Sequence, residues 1–149
     1  MSFSTTRRVE FRDTDAAGIV HFSAFFPMME AAEHEMLRSL GLSVLPTATG
    51  DPGAPAVTWP RVAASCNYAS AARFEDLLTI TVRVARIGTT SVEYEVRFTR
   101  GECLIADGKM TAVCCRLIHP PSAGGSEPEP RLEKVPIPDS IRELLSRHQ

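Results

Sequence analysis

Residues 13–40 of this 149-residue chain read DTDAAGIVHFSAFFPMMEAAEHEMLRSL, and two patterns meet in this stretch. Residues 13–18 are small and polar, which is typical of a turn or an irregular loop. After Ser23, a plausible N-cap, apolar residues recur at steps of three and four and predict one apolar stripe on a helix. Gly41 is the expected C-terminal stop. The stretch therefore predicts a loop that leads directly into a helix of about 18 residues.

Strands are predicted on both sides of this helix, because alternation of apolar and polar residues indicates half-buried strands. The first strand covers residues 7–12 and ends at Asp13. Asp107-Gly108 is interpreted as a bulge within one long strand rather than as a hairpin turn. The later strands are predicted at residues 61–68, 77–87, 91–100 and 103–118. This order predicts an α+β fold in which an antiparallel sheet wraps around one long central helix.

A single domain is expected over residues 1–149, since a chain of this length forms one hydrophobic core. The core is predicted at about residues 6–118. Residues 45–60 are rich in Pro, Gly and Thr and predict a loop. Residues 119–135 have no periodicity and are predicted to be a linker, whereas residues 136–149 are predicted to form a short C-terminal helix.

Charge and composition exclude several classes of function. The formal net charge of −2 gives no electrostatic drive toward nucleic acid. No apolar run reaches the ~20 residues that a membrane span needs, and residues 1–12 lack the apolar block of a signal peptide. We therefore expect a cytoplasmic protein with neither nucleic acid nor membrane as partner. The four cysteines have no zinc-ligand spacing and are expected to be reduced thiols.

Four segments, at residues 9–22, 30–38, 66–68 and 72–77, together resemble the 4-hydroxybenzoyl-CoA thioesterase family of hotdog-fold enzymes. Residues 9–22, VEFRDTDAAGIVHF, closely resemble the opening motif of that family, and residues 30–38, EAAEHEMLR, are similar to its central helix. CNY at residues 66–68 and ARFEDL at residues 72–77 resemble its second strand and the turn after it. The resemblance covers residues 6–118 and implies the hotdog fold.

The resemblance also implies an activity, which is hydrolysis of an acyl-CoA thioester with Asp15 as the catalytic carboxylate. It implies no metal and no organic cofactor, because coenzyme A is part of the substrate. It further implies a homodimer or homotetramer in which the sheets of two subunits join. In such an assembly the acyl group lies between the central helix of one subunit and the second-strand region of the other.

The chemistry of thioester hydrolysis explains why these residue types are needed. A nucleophile or base must reach one face of the carbonyl, and hydrogen-bond donors must face its oxygen. Backbone amides at a helix start are unpaired within the helix and lie at the positive end of its dipole. We therefore expect the amide of Phe22, or of an immediate neighbour, to polarise the thioester. Asp15 either attacks the carbon or activates a water, and the sequence does not separate these routes.

Further residues are candidates for catalysis or for substrate binding. His21 is either a packed histidine or an acid-base partner of Asp15. Glu30 is a weaker second candidate for the catalytic carboxylate. A non-catalytic acyl-CoA-binding subunit and an enoyl-CoA hydratase of the same fold are the alternative functions. The expected substrate-binding residues are Gly18, Val20, His21, Ser23, Phe25, Asn67, Tyr68 and Arg73.

Overall fold

The computed structural model of the chain describes residues 1–45, 56–122 and 124–149. Most of the predicted loop at residues 45–60 therefore lies outside the described residues. The strands are β1 (Phe3–Arg8), β2 (Arg61–Tyr68), β3 (Leu77–Ile87), β4 (Ser91–Arg100), β5 (Cys103–Val113), β6 (Cys115–Ile118) and β7 (Arg131–Lys134). The helices are α1 (Phe25–Ser39) and α2 (Asp139–Ser146).

The main sheet is antiparallel and packs against the long helix α1. Its five strands have the order β1-β3-β4-β5-β2, so that β1 and β2 form its two edges. Alternate residues of β3 and β4 are buried, as the alternation in the sequence predicts, and pack against the apolar face of α1. The predicted α+β arrangement of an antiparallel sheet around one long helix is confirmed.

The Met29 side chain of α1 packs directly against Gly108 of β5. A Cβ atom at this position would collide with Sδ of Met29 on α1 and would lie 3.1 Å from the Ser65 carbonyl oxygen on β2. Only a glycine leaves room for both neighbours. Asp107-Gly108 is therefore a point of close packing within a continuous strand.

The ends of α1 are defined by backbone hydrogen bonds. Ser23 is not the cap of this helix, because a short 3₁₀ turn, Phe22–Ala24, precedes it, and His21 caps that turn. The helix consequently has 15 residues and is shorter than expected. At its other end Gly41 adopts a left-handed conformation, and the Leu42 amide donates to the Leu37 carbonyl at 2.8 Å. The predicted glycine stop is thus confirmed.

The first strand differs from its prediction, because it covers Phe3–Arg8 instead of residues 7–12. The chain turns after Val9, where the Glu10 amide donates to the Asp13 carboxylate at 2.8 Å and a 3₁₀ turn follows at Phe11–Asp13. Val9 is buried whereas Phe11 is exposed. Val9 and Phe11 are two residues apart, but they do not lie on one face of a strand, because the capped turn begins between them.

The prediction of a bulge at Asp107-Gly108 is wrong, because the extra residue of β5 is Ile105. Phe98 and Thr99 of β4 pair with Ala106 and Leu104, which leaves Ile105 without a partner in that ladder. A bulge places consecutive residues on one side of a strand. The buried pair Ile105 and Ala106 has this pattern.

The C-terminal part of the chain contains more regular structure than its composition suggests. The strand predicted at residues 103–118 is divided into β5 and β6. Within the predicted linker, β7 pairs antiparallel with β6, so residues 131–134 are a strand and not a linker. Helix α2 lies within the range predicted for the terminal helix and buries Ile141 and Leu145 in the core. None of the helices in the described ranges is long and apolar enough to cross a membrane.

Candidate active site

The loop before the central helix is a tight hairpin. The Asp15 amide donates to the Ile19 carbonyl at 2.9 Å, and the His21 amide donates to the Asp13 carbonyl at 2.8 Å. Gly18 closes the turn with φ of +77°, a conformation that glycine adopts at little cost. The hairpin therefore holds Asp15 in a defined position opposite Ile19.

The hairpin is attached to the segment that follows β2. The Val20 amide donates to the Ala72 carbonyl at 2.8 Å, and Ile19 pairs with Arg73 in an isolated antiparallel bridge. Residues that are far apart in sequence are thereby brought to the two sides of one cleft. One wall comes from the hairpin and the start of α1, and the other comes from the end of β2 and the residues after it.

Asp15 lines this cleft, which has a volume of about 340 Å³. One carboxylate oxygen, Oδ1, accepts the Ala17 amide at 2.8 Å, which fixes the side chain within the turn. Within the described part of the chain no protein donor contacts Oδ2. The cleft is lined by Asp15, Ile19, Val20, Phe22, Phe25, Tyr68, Ala69, Ser70, Ala71 and Ala72.

The backbone amide of Phe22 is available to a ligand. It begins the 3₁₀ turn that leads into α1, where the first amides have no partner within the helix. The Ser23 amide donates to Nδ1 of His21 at 3.2 Å, and the Ala24 amide donates to the His21 carbonyl at 2.9 Å. No acceptor for the Phe22 amide lies in residues 1–45, 56–122 or 124–149. Asp15 and Phe22 line one cleft, and acyl transfer needs a carboxylate and an N–H donor of the kind that these two residues carry.

Tyr68 joins the two walls of the cleft. Its hydroxyl donates to the Phe22 carbonyl at 2.8 Å, and its ring centroid lies 5.5 Å from that of Phe25. Burial raises the pKa of Tyr68, and the neighbouring Cys66 thiol adds to this shift. The phenol therefore remains a protonated donor at neutral pH.

Other predicted residues lie elsewhere. His21 and Ser23 line a separate cleft of about 640 Å³ together with Asp13. Nδ1 of His21 lies 2.7 Å from Oγ of Ser23, so the histidine caps a turn and does not line the Asp15 cleft. Asn67 also lies outside that cleft and donates to the Asp107 carboxylate at 3.2 Å.

Gly18, Arg73 and Glu30 do not line the Asp15 cleft either. Gly18 is exposed in the hairpin turn, and Arg73 is exposed next to Ala72. Glu30 pairs with Arg61 at 3.3 Å on the surface of α1. Gly18 thus shapes the loop, whereas Arg73 is an exposed cation beside the cleft wall.

Ser70 and Ala71 line the cleft and were not predicted from the sequence. The amides of Ala69 and Ser70 both donate to the Ile105 carbonyl, at 2.8 and 3.1 Å, and this contact holds the segment as a wall. The only signal in the sequence was the run of small residues between two predicted strands. In the described segments, no group of three or more His, Cys, Asp or Glu side chains could hold a metal ion.

Comparison with known proteins places the chain in a family. The sequence profile of the thioesterase superfamily matches residues 17–106. A curated relative, the 1,4-dihydroxy-2-naphthoyl-CoA hydrolase of Nostoc punctiforme, is 31% identical over 114 residues, which cover 76% of this chain and 74% of the relative.

Solved structures share the architecture. A 1,4-dihydroxy-2-naphthoyl-CoA thioesterase from Synechocystis superposes with a TM-score of 0.78 at 23% identity, covering 98% of this chain and 96% of that one. A 4-hydroxybenzoyl-CoA thioesterase variant in complex with 4-hydroxybenzoyl-CoA gives a TM-score of 0.76 at 21% identity, covering 97% and 98%. The fold is therefore the hotdog fold, as expected. The chain belongs to the thioesterase superfamily and is a thioester hydrolase.

Proposed function

We propose that this protein hydrolyses an aromatic or a short- to medium-chain acyl-CoA to the free acid and coenzyme A, with Asp15 as the catalytic carboxylate. The observation that carries the proposal is that Asp15 lines the same cleft as Phe22, a residue whose backbone amide has no acceptor among the described residues. A carboxylate is ionised at neutral pH, and the thiolate of coenzyme A is a good leaving group. The reaction therefore needs no strong general acid and no cofactor.

The reaction begins with the thioester oxygen accepting a hydrogen bond from the Phe22 amide. In one route an Asp15 oxygen attacks the carbonyl carbon, the C–S bond breaks and CoA thiolate departs. The product is a mixed anhydride between Asp15 and the acyl group, which water then hydrolyses. In the other route Asp15 takes a proton from a water, which attacks the same carbon and expels the thiolate. If the reaction is quenched rapidly during turnover, the first route predicts a peptide that contains Asp15 and carries the acyl group, whereas the second route predicts no such peptide.

The residues around Asp15 favour an aromatic acyl group. Three of the residues that line the cleft, Phe22, Phe25 and Tyr68, are aromatic, and aromatic rings pack favourably on one another. The Nostoc relative is a hydrolase of the aromatic thioester 1,4-dihydroxy-2-naphthoyl-CoA, which supports this preference. Arg73, exposed beside the cleft wall, is the candidate for contact with a phosphate of coenzyme A.

Replacement of Asp15 by Asn tests the proposal. We expect Asp15→Asn to lower the rate of CoA release by at least a hundredfold, since the amide is neither a nucleophile nor a base, with an unchanged melting temperature. The assay measures free thiol from benzoyl-CoA, hexanoyl-CoA and 1,4-dihydroxy-2-naphthoyl-CoA. Asp139→Asn, an exposed position on α2, is the matched control and should behave like the unsubstituted protein. Near-normal turnover by Asp15→Asn, or binding of acyl-CoA without release of CoA by the unsubstituted protein, would contradict the proposal.

We further propose that the protein forms a homodimer through β2. This strand is at an edge of the sheet, and Val62 on it is 61% exposed. The free side of an edge strand is a template for pairing with a second chain. Because Tyr68 ends β2 and lines the cleft, pairing of two β2 strands would place each cleft at the subunit interface.

Charged residues on the edge strand test this assembly. We expect the double substitution Val62→Lys and Ala64→Lys to convert the dimer into monomers and to lower activity, because cations block edge-to-edge pairing. Light scattering of the protein as it elutes from a size-exclusion column measures the mass of the assembly. A variant that keeps the mass of the unsubstituted protein would contradict pairing through β2.

A further inference from the structure

His21 is hydrogen-bonded to the 3₁₀ turn before α1 through both its side chain and its backbone. The Ser23 amide donates to Nδ1 of His21 at 3.2 Å, and the Ala24 amide donates to the His21 carbonyl at 2.9 Å. This carbonyl and the free amide of Phe22 belong to one peptide group. The two bonds to His21 therefore restrain the peptide group that carries the N–H donor of the proposed reaction.

Two donors converge on Nδ1 of His21. Besides the Ser23 amide, Oγ of the same serine lies 2.7 Å from this nitrogen. A backbone amide can only donate, so the nitrogen that accepts it carries no proton, and the proton of the neutral ring is then on Nε2. In this tautomer the serine hydroxyl also donates to Nδ1. The geometry thus corresponds to a neutral imidazole whose Nδ1 is the acceptor.

Protonation of the imidazole reverses the role of Nδ1. Both ring nitrogens of an imidazolium are donors, so Nδ1 then donates to the Ser23 hydroxyl and can no longer accept the Ser23 amide. Loss of a side-chain cap leaves an amide at the start of a helix without its partner and favours fraying of the first turn. The peptide group between His21 and Phe22 belongs to that turn and loses one of its restraints.

The surroundings of His21 include several charged side chains. The charged residues that line the cleft of about 640 Å³ with His21 are Arg7, Arg12 and Asp13. Nη2 of Arg7 lies 3.5 Å from Oδ1 of Asp13, and Arg12 pairs with Glu10 at 2.6 Å, so each cation has an anion beside it. The Phe22 ring packs on the imidazole, with centroids 4.4 Å apart. Among the side-chain types described in this cleft, histidine is the one that ordinarily changes charge between about pH 5 and pH 8.

We propose that His21 is a positioning residue for thioester hydrolysis, and that its neutral imidazole is required to restrain the Phe22 amide. His21 does not line the Asp15 cleft, so it acts through the turn and not as an acid or a base. The inference rests on the proposed function in one respect, which is that the Phe22 amide polarises the thioester. It predicts that kcat falls as pH decreases through the range in which a histidine gains its proton.

Two substitutions at position 21 separate the cap from its titration. Asparagine is among the best capping residues and does not titrate, whereas leucine removes the cap. Between about pH 8 and pH 5.5, above the range in which aspartates ordinarily gain a proton, we expect kcat of the unsubstituted protein to fall at least about threefold. Loss of an oxyanion donor altogether costs about a hundredfold or more, and a loosened donor costs less.

The pH profiles of the variants should therefore differ in shape. We expect His21→Asn to keep at least about a third of kcat at pH 8 and to have a flat profile, and His21→Leu to be about threefold to thirtyfold slower and also flat. His119→Gln, an exposed histidine after β6, is the control and should keep the normal decrease. The substrate is the thioester of the three named above with the highest turnover. A flat profile of the unsubstituted protein, a decrease that persists in His21→Asn, or a hundredfold loss in His21→Asn would overturn the inference.

Nuclear magnetic resonance tests the hydrogen bond without substrate and without a substitution. In protein labelled with nitrogen-15, we expect Nδ1 of His21 to have the chemical shift of an unprotonated nitrogen at about pH 8, and the Ser23 amide signal to follow the titration of the ring. A proton on Nδ1 at that pH, or a Ser23 amide that ignores the titration, would overturn the inference. Normal turnover by Asp15→Asn would instead contradict the proposed function, so the two failures are distinguishable.

Discussion

The hydroxyl of Tyr68 donates to the carbonyl oxygen of Phe22 at 2.8 Å and so joins the end of β2 to the turn that begins α1. The carbonyl of Phe22 and its free amide belong to neighbouring peptide groups. Tyr68 is therefore a positioning residue, because its bond restrains the turn that presents this amide to the cleft. The edge strand and the turn are consequently coupled through one hydrogen bond.

Loss of this hydroxyl should affect turnover more than binding. We expect Tyr68→Phe to lower kcat about threefold to tenfold, because one neutral hydrogen bond contributes about 0.5–1.5 kcal/mol, with KM nearly unchanged while the ring still contacts Phe25. Steady-state CoA release measures both constants. Asn67→Ala removes a neighbouring side chain that bonds Asp107 outside the cleft and should leave kcat unchanged. An increase in KM alone would contradict a positioning role for Tyr68.

Arg61 should stabilise the fold by neutralising a buried carboxylate. Glu33 on α1 is 1% exposed, and its Oε2 lies 2.5 Å from Nη1 of Arg61. Removing one partner of a buried pair costs about 3–5 kcal/mol. We therefore expect Arg61→Leu to be strongly destabilised at neutral pH, and the double variant Glu33→Leu, Arg61→Leu to recover most of the loss. Urea unfolding measures the free energy of unfolding of both variants.

The loss of stability in Arg61→Leu should depend on pH. Burial raises the pKa of Glu33 in the folded protein, while the Arg61 charge opposes that rise. Without Arg61, the folded state binds a proton more tightly than the unfolded state, so the free energy of unfolding falls as pH increases above the ordinary glutamate value. The variant should therefore be closer to the unsubstituted protein at pH 5 than at pH 8. An equal loss at both pH values would show that Glu33 is not the cause.

A methyl group at Gly108 should destabilise the helix crossing. Gly108→Ala places a Cβ against Sδ of Met29 and near the Ser65 carbonyl, so we expect a loss of about 1–3 kcal/mol in urea unfolding. In a Met29→Ala background the same substitution should cost less. Gly88→Ala is the control, because the closest atom to its Cβ would be Oγ of Ser91 at 2.9 Å, a hydroxyl that can rotate away, and the Ser91 backbone oxygen lies at 3.5 Å, an ordinary contact distance. Equal losses at positions 88 and 108 would argue against close packing at Met29.

Asp76 should contribute stability that is lost in acid. The Arg73 amide donates to its Oδ2 at 2.8 Å and Nη1 of Arg100 lies 2.6 Å from the same oxygen, and these contacts lower the pKa of Asp76. A lowered folded-state pKa stabilises the fold above the unfolded value of about 3.9, and this contribution disappears as pH falls below it. Asp76→Asn should therefore flatten the dependence of the free energy of unfolding on pH below about pH 4. Denaturant unfolding between about pH 2 and pH 7 would reveal the difference, and parallel curves would contradict it.

The sequence predicted the parts of the molecule that local patterns encode. The steps of three and four residues after Phe25 located the central helix, and the alternation along β3 and β4 located the middle of the sheet. The small residues around Asp15 and Gly18 indicated a turn, which the structure shows as a hairpin. These features depend on neighbours within a few residues, which is why periodicity and turn chemistry identify them.

Features that depend on distant residues were not predicted. The alternation of Val9 and Phe11 suggested a strand, but the Asp13 carboxylate caps a turn at Glu10 instead. The strand β7 forms because β6 offers it an edge, and its own short segment gives little signal. His21 was expected beside Asp15, yet the hairpin directs it to the other side of the loop. Pairing across the chain determines each of these outcomes.

Ile105, the residue of β5 that has no partner in β4, supports one wall of the Asp15 cleft. Ile105 has no partner in β4, and its carbonyl, on the side of β5 that faces β2, accepts the amides of both Ala69 and Ser70. A one-residue deletion there would restore a regular ladder, but it would release the backbone that faces Asp15 and shift the register of the strand that follows. Ile105, which does not line the cleft, thus anchors two residues that do.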